Sequence, residues 1–312
     1  MIPRVVRAGV SLSLLAVLAW VLDAGALLDR LAGFDARWAL LAIAISLPQV
    51  VILAFRWQFT AGRLGLHLPF GTAVREYYLA IFLNQVLPGG VVGDVSRAWR
   101  HGQAGPERRV GPAARAVILE RASGQVVVGA VAALSFASLP LAFGVFPTTL
   151  GLAVGGIGVA LLAAYFVFRR WPRSGLLASI GQDVHTALLA RDALPTQLIT
   201  SSLVVGTFFA TYVVAARAVG VTTPLLTLLP LVAPVLLSML VPATVAGWGV
   251  REATAAALWG AVGLTVVDGV AISAAYGILV LISSLPGAVV LLGGNRAQRK
   301  SRSKSTSSPR ST

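Results

Sequence analysis

The chain has 312 residues, of which 57% are hydrophobic and 12% are charged, with a mean hydropathy of +0.84 and a formal net charge of +14. This composition excludes an ordinary soluble domain. It indicates an all-α, polytopic membrane protein, because runs of about 20 apolar residues, each able to cross a hydrocarbon core of roughly 30 Å, recur along the sequence.

Six apolar segments are long and continuous enough to be predicted as full membrane spans. They are residues 9–28, 38–56, 115–139, 150–168, 197–217 and 268–293. Two further apolar regions, 74–100 and 224–264, are interrupted by proline and glycine and are predicted to form broken or re-entrant helical hairpins. The sequence thus predicts one membrane domain over residues 1–295, followed by a basic, disordered cytoplasmic tail over residues 296–312.

The basic residues predict how the spans are oriented. Most of the 25 Lys and Arg lie at the N-terminus, in segments 56–75, 97–115 and 169–191, and in the tail. Such segments stay in the cytoplasm, so both termini are predicted to be cytoplasmic. The first broken region then opens to the inside and the second to the outside. If each hairpin instead made two tilted full crossings, both of its ends would still lie on the same side of the membrane. The charge distribution therefore leaves open whether these segments are re-entrant or spanning.

The two broken regions share a sequence pattern. "LNQVLPGGVVGDVSR" (83–97) and "LSMLVPATVAGWGVR" (237–251) align with a constant offset of 154 residues. The alignment pairs Leu83 with Leu237, Pro88 with Pro242, Gly93 with Gly247 and Arg97 with Arg251. Because the two hairpins open to opposite sides, the pattern predicts an inverted-topology repeat, which in transporters places the substrate site near the membrane midplane.

The breaks predict a site for an anion such as a phosphate. A break frees backbone N–H groups, and the second half-helix begins with partial positive charge, to which Arg97 and Arg251 add. The alternative is that the breaks are plain kinks, that both arginines snorkel to the interface, and that Asp94 only caps a half-helix. Asn84 and Gln85 are expected to satisfy freed backbone groups or to contact substrate.

Other charges lie close to or within the predicted spans. Glu120–Arg121 is either functional or an ion pair that holds its span to the neighbouring hairpin. Arg56–Trp57 is predicted to be an interfacial anchor at the end of the second span. Glu76 is expected to pair with Arg75 or Arg121.

Catalytic and metal-binding patterns are missing from the sequence. The chain contains no cysteine, which excludes disulfides, thiolate metal sites and cysteine nucleophiles, and its three histidines are scattered. No candidate nucleophile is accompanied by a histidine that could act as its general base. No two carboxylates share one helix face at the spacing that catalysis needs. The chain is therefore expected to be no enzyme and to hold neither a metal nor another cofactor.

Four stretches carry a resemblance to one family: "FRW" (55–57), "NQVLPGGVVGDVSRAW" (84–99), "ER" (120–121) and "VPATVAGWGVREA" (241–253). Over about residues 5–295 the chain resembles the lysylphosphatidylglycerol synthase transmembrane region family, the flippase-like membrane domains, as a stand-alone member without the transferase domain. The resemblance implies substrate-binding roles for Asn84, Asp94, Arg97, Glu120, Arg121, Arg251 and Glu252. It implies functional roles also for Pro88, Gly93, Pro242 and Gly247. The proline and glycine pattern assigns these four residues, together with Gly89 and Gly90, to the helix breaks.

The resemblance also implies a function and a location. We expect a protein of the bacterial inner membrane that flips or binds an anionic lipid, such as an aminoacylated phospholipid or a polyprenyl phosphate. The alternatives are a non-transporting accessory protein for lipid or cell-envelope glycan synthesis, and a transporter of a small soluble anion. The expected partners are membrane lipids with anionic headgroups, with a second copy of the chain or a lipid-synthesis enzyme as further candidates, and no nucleic acid.

Overall fold

All regular elements of the described residues are helices. The computed structural model describes residues 24–104, 108–144, 175–240 and 244–293, with five isolated positions before residue 24. The helices are α1 (Ala24–Ala32), α2 (Ala36–Arg63), α3 (Phe70–Val86), α4 (Val92–Gln103), α5 (Val110–Phe143), α6 (Gly175–Val184), α7 (Leu194–Ala218), α8 (Leu225–Ser238), α9 (Val250–Ala261) and α10 (Val266–Ser284). One π-helical turn, His185–Leu189, continues α6. For these residues the all-α prediction is confirmed.

Four helices are long and apolar enough to cross a membrane. They are α2, the Val110–Leu139 part of α5, α7, and α10 with its continuation to Gly293. These helices coincide with four of the six predicted spans, so the chain is a multi-pass membrane protein. Most of the predicted span 9–28, all of 150–168 and the predicted tail 296–312 lie outside the described residues.

The second span extends farther than its apolar pattern indicated. Helix α2 continues seven residues past Arg56, to Arg63, which adds about 10 Å at 1.5 Å per residue. Arg56 and Trp57 therefore lie inside the bundle, with only 3% and 0% of their surface exposed. The prediction that this pair is an interfacial anchor is wrong. Arg63 ends the helix instead and pairs there with Asp192.

Both interrupted regions form pairs of short helices, each shorter than the roughly 20 residues that a full crossing needs. Between α3 and α4, Leu87 is extended before Pro88, and Gly89 and Gly90 have φ of 111° and 62°. A residue before proline avoids the helical region, and positive φ favours glycine. Between α8 and α9, Gly247 and Gly249 have φ of 80° and 88°. Pro242 lies outside the described residues.

The long helices α2, α5 and α7 connect two separate hydrophobic cores. The first core surrounds α3 and α4 and includes Trp57, Tyr77, Ala98, Val117 and Val204. The second core surrounds α8, α9 and α10 and includes Ala42, Leu139, Tyr212, Trp259 and Ile272. Each of the three long helices contributes one end to each core. The first hairpin contacts α2 and α5, the second contacts α5 and α7, and the two hairpins lie toward opposite ends of α5.

Gly93 sets the distance between the two helices of the first hairpin. A Cβ atom built on Gly93 would lie 2.0 Å from the carbonyl oxygen of Ala80 and 2.6 Å from its Cα atom. The backbone of α4 therefore lies directly against the backbone of α3, an approach that only glycine permits.

Replacing Gly93 by alanine should destabilise the protein strongly. The added methyl group meets backbone rather than a movable side chain, so we expect a loss of about 3 kcal/mol or more in the free energy of unfolding. Gly71→Ala, in the same hairpin, is the matched control because nothing lies within 4 Å of its added Cβ atom. Thermal unfolding in detergent should show a large decrease in Tm for Gly93→Ala alone. Equal Tm values for the two variants would contradict the close approach.

Candidate functional site

Glu120 of α5 is a buried carboxylate shared by three other helices. Its Oε1 accepts hydrogen bonds from Arg56 Nη2 at 2.5 Å and Arg56 Nε at 3.0 Å, and its Oε2 accepts one from Arg97 Nη2 at 2.7 Å. The Tyr77 hydroxyl lies 3.1 Å from both oxygens and donates to this carboxylate. These partners come from α2, α4 and α3. Glu120 thus holds the first hairpin to α2 and α5. One of the two roles predicted for it was an ion pair between its span and the neighbouring hairpin, and the structure contains that pair.

Asp94 binds the other side of Arg97 and also Arg121. Its Oδ1 accepts from Arg97 Nε at 3.0 Å and Arg121 Nε at 3.1 Å, and its Oδ2 accepts from Arg121 Nη2 at 2.6 Å. Helix α4 begins after Val91 with no side-chain cap. The alternative that Asp94 only caps the half-helix is therefore wrong, because its carboxylate pairs two arginines.

Asn84 joins the helix break to these charges. Its Oδ1 accepts a hydrogen bond of 2.7 Å from the backbone N–H of Gly93, and its Nδ2 donates one of 2.9 Å to Asp94 Oδ2. An N–H group in the first turn of a helix has no partner within the helix. Asn84 therefore satisfies a freed backbone group, one of the two roles expected for it, and orients Asp94 at the same time.

Arg97 is held between two aromatic rings. Its guanidinium carbon lies 4.3 Å from the centre of the Tyr77 ring and 4.7 Å from that of the Trp57 ring, within the range of a cation–π interaction. The residue is buried, so the alternative that Arg97 snorkels to the interface is wrong.

The first-hairpin cluster is the set Arg56, Asp94, Arg97, Glu120 and Arg121. It joins three guanidinium groups to two carboxylates and has a formal net charge of +1. Arg121 lies eleven residues after the start of α5, about 16 Å along the helix. The cluster opens at one edge, because the Arg121 side chain is 40% exposed and that of Asp94 is 11% exposed. It is a partly accessible, net cationic site inside a membrane domain.

Several residues that support this cluster were missed in the sequence. Arg56 Nη1 donates to Ser201 of α7 at 3.0 Å, and a Cβ atom on Gly124 would lie 3.0 Å from Arg56 Nη2. For Arg56 the sequence contains one indication. A second basic residue, Arg63, follows seven positions later and ends the helix, so Arg56 lies inside the helix rather than at its end. Tyr77 and Ser201 are uncharged residues within apolar helices, so nothing in the sequence pattern distinguishes them from their neighbours.

Glu76 lies beside the cluster and has partners of its own. It forms ion pairs with Arg75 at 3.4 Å and with Arg100 at 3.3 Å. The first of these pairs was expected. Arg121, the other expected partner, binds Asp94.

The second hairpin contains a separate, closed ion pair. Arg251 Nη2 donates to Glu252 Oε1 at 2.6 Å, Ser273 bonds both residues, and Glu252 Oε2 accepts from the N–H of Gly249 at 2.7 Å. The guanidinium carbon of Arg251 lies 5.0 Å from the centre of the Trp248 ring. Both charged side chains are 1% exposed. Arg251 does not snorkel, and this pair is electrically neutral.

The structure thus brings together five of the seven predicted binding residues and leaves two apart. Asn84, Asp94, Arg97, Glu120 and Arg121 form one hydrogen-bonded group. Arg251 and Glu252 form another at the second hairpin. Within the part of the chain that the structure describes, Arg97 and Arg251 have no hydrogen-bond partner in common.

Fold and site together define a helical, multi-pass membrane protein with a buried ionic cluster at a broken hairpin. The family model described as "Lysylphosphatidylglycerol synthase TM region" matches residues 4–287. The chain belongs to this family, which confirms the resemblance seen in the sequence and indicates a role related to membrane lipids. A search of curated proteins gives no match.

Glu120→Gln should destabilise the protein more than Arg56→Gln. Without the carboxylate, Arg56 and Arg97 lose their shared counter-ion inside the bundle, at an expected cost of about 3–5 kcal/mol. Without Arg56, Glu120 still binds Arg97 and Tyr77, so we expect about 1–3 kcal/mol. Unfolding in detergent, followed by tryptophan fluorescence, measures both values. Equal losses, or a larger loss for Arg56→Gln, would refute the central role of Glu120.

Proposed function

We propose that this protein binds an anionic membrane lipid by its phosphate group at the first-hairpin cluster and moves the lipid across the membrane. The observation that carries the proposal is the excess of guanidinium over carboxylate in that cluster, together with its opening at Arg121. Membership of a lipid-related membrane family supports a lipid rather than a soluble solute as the source of the phosphate. The proposal assigns the chain no chemical step.

The contacts suggest how the phosphate would bind. An arginine presents a planar fork of N–H donors that matches a phosphate in two-point geometry. In the structure Asp94 occupies this fork of Arg121 and also the Nε of Arg97. A phosphate that enters at the exposed edge would replace Asp94 at Arg121, while Glu120 keeps Arg56 and Arg97 in place. Asp94 thus serves as the internal anion of the empty site, and the acyl chains remain in the bilayer.

The order of the helices supports an inverted repeat of two four-helix units. Helices α7, α8, α9 and α10 begin at residues 194, 225, 250 and 266, and their counterparts α2, α3, α4 and α5 begin at residues 36, 70, 92 and 110. The spacing is 155–158 residues for every pair. The hairpins are short and lie toward opposite ends of the long helix α5, which both contact, and this favours re-entrant hairpins and six full spans. With the charge bias, we place both termini in the cytoplasm and the protein in a bacterial inner membrane.

Arg251 and Glu252 enter the proposal as the equivalent pair of the second hairpin. In an alternating-access cycle, the two halves rock and open the site to each side in turn. In the structure the Arg121 side chain of the first-hairpin cluster is partly exposed, whereas Arg251 and Glu252 are buried. We propose that the pair at Arg251 receives the phosphate in the opposite state, when the second hairpin opens.

Arg121→Gln should slow lipid flipping while the protein stays folded. The variant loses a charge-assisted contact to phosphate, typically about 1.5–3 kcal/mol, which corresponds to about ten- to a hundredfold weaker binding. The assay reconstitutes the protein in liposomes with fluorescent phosphatidylglycerol and quenches the outer leaflet with dithionite. Arg108→Gln removes the same charge at an exposed position and should behave like wild type. Unchanged flipping by Arg121→Gln would sink the proposal.

Two further arms of this assay separate the other functions. Short-chain phosphatidylglycerol should compete for the site far better than inorganic phosphate. Equal competition by inorganic phosphate, with uptake of phosphate into the liposomes, would indicate a transporter of a small soluble anion. Lipid binding without any flipping in these partner-free liposomes would indicate an accessory protein.

Asp94→Asn should bind the anionic lipid more tightly and flip it more slowly. The change removes the internal competitor for Arg121 and raises the formal charge of the cluster from +1 to +2. We expect about three- to tenfold tighter binding, near 1 kcal/mol, measured with short-chain phosphatidylglycerol in detergent. Asp192→Asn is the control, because this exposed aspartate pairs with Arg63 outside the cluster. Weaker binding by Asp94→Asn would show that Asp94 is not the competitor.

A further inference from the structure

Two exposed arginines of the first hairpin converge on one buried carboxylate outside the first-hairpin cluster. Arg75 Nη2 of α3 lies 3.4 Å from Glu76 Oε1, and Arg100 Nε of α4 lies 3.3 Å from Glu76 Oε2. The side chain of Glu76 is only 7% exposed, whereas those of Arg75 and Arg100 are 64% and 42% exposed. These three residues are the outer cluster, which has a formal net charge of +1.

The outer cluster is held loosely. Its two ion pairs of 3.4 and 3.3 Å are longer than the contacts of 2.5–3.1 Å in the first-hairpin cluster. Arg100 makes one further hydrogen bond, of 3.2 Å, to Ser96 Oγ of its own helix. Neither arginine has another hydrogen bond or ion pair to a residue that the structure describes. Because long contacts of exposed charges contribute little, most N–H donors of both arginines remain available to an anion.

Both arginines lie within reach of one phosphate group. Each contacts the same carboxylate, and a phosphate binds the N–H fork of an arginine in the same two-point geometry as a carboxylate does. The two guanidinium groups come from different helices, so a phosphate between them would have one on each side. Glu76 is buried below them, and its contacts keep the two side chains close together when no anion is bound.

The outer cluster lies toward the open end of the hairpin. Helices α3 and α4 run antiparallel, since Ala80 approaches Gly93 near the break and Glu76 contacts Arg100 farther from it. Arg100 is six residues after Asp94, which is about 9 Å along α4. The open end adjoins the basic segments 56–75 and 97–115. In the orientation given above, the outer cluster is therefore on the cytoplasmic side of the first-hairpin cluster.

An apolar surface adjoins Arg100. Val91, Val95 and Trp99 follow one another at intervals of four residues on α4, so they share one helix face, and all three are exposed. Trp99 directly precedes Arg100, and tryptophan is enriched where the hydrocarbon of a membrane meets the lipid headgroups. An anion bound at Arg100 would have this apolar surface beside it. Such a surface suits the acyl chains of a lipid and gives a soluble phosphate no contact.

We propose that the outer cluster is a second binding site for the phosphate of an anionic lipid. Arg75 and Arg100 hold the phosphate, and the apolar face of α4 contacts the acyl chains. A lipid from the cytoplasmic leaflet meets this site before it meets Arg121. The choice of a lipid as the ligand rests on the proposed function, whereas the site itself requires only binding and no movement across the membrane.

The test measures binding of short-chain phosphatidylglycerol to the full chain in detergent. The background is Arg121→Gln, in which the first-hairpin cluster binds phosphate weakly, so that the outer cluster dominates. Adding Arg75→Gln or Arg100→Gln should weaken binding about two- to fivefold, because each change removes one exposed contact to the phosphate. Adding Glu76→Gln should tighten binding, since the formal charge of the outer cluster rises from +1 to +2.

Arg108→Gln is the matched control, because it removes the same charge at an exposed position near the open end of the hairpin. Added to the same background, it should leave binding unchanged. Equal affinities after the Arg75→Gln, Arg100→Gln and Arg108→Gln changes would overturn the proposal, as would an Arg121→Gln protein that binds no lipid. The arginine variants decide even where Glu76→Gln does not fold, since each of them leaves Glu76 with one partner.

Two water-soluble probes separate the possible sources of the phosphate. Glycerophosphoglycerol carries the same phosphodiester without acyl chains, and inorganic phosphate has neither glycerol nor chains. Both should bind far more weakly than short-chain phosphatidylglycerol, and equal binding would overturn the assignment to a lipid. The assay does not depend on flipping. Unchanged flipping by Arg121→Gln refutes the proposed transport alone, whereas equal affinities in the binding assay refute the outer cluster alone.

Discussion

The shared carboxylate of Glu120 is the constraint on which the first half of the structure depends. An unpaired charge inside a membrane domain is costly, so the carboxylate and the arginines around it must meet. Arg56, Tyr77 and Arg97 reach Glu120 from three different helices. Their meeting fixes the position of the first hairpin relative to α2 and α5. The same contacts leave Arg121 and Asp94 at the open edge, where the proposed function places the phosphate.

The broken helix and the charged cluster depend on each other. The approach of α4 to α3 at Gly93 brings the backbone N–H of that residue to Asn84, and Asn84 in turn binds Asp94. A continuous helix would place Asp94 and Arg97 farther along its axis, away from Glu120. The break at Pro88 reverses the chain, and the reversal brings α4 back beside α3. The Pro-Gly-Gly stretch is thus what allows a charged half-helix to be buried.

The sequence predicted those features that depend on pattern along the chain. Four spans and both helix breaks follow from apolar length and from the positions of proline and glycine. The partners of the buried charges depended on distances between helices, which no pattern supplies. Arg56 is the clearest case, because the apolar run ends at this residue whereas the helix continues to Arg63. Tyr77, Ser201 and the approach at Gly93 are likewise set by packing between distant segments.

The two hairpins share an architecture but differ in charge and access. Each places an arginine against aromatic rings and a carboxylate, with Arg97 near Trp57 and Tyr77, and Arg251 near Trp248 and Tyr276. The first cluster is net cationic and reaches the surface, whereas the second pair is neutral and closed. Two equivalent sites in an alternating-access protein should never be open together, because the membrane would then be breached. The equivalent arginines Arg97 and Arg251 are both buried, so the difference in access lies at Arg121, whose side chain is 40% exposed. In the proposed cycle this is the state in which only the first-hairpin cluster is open.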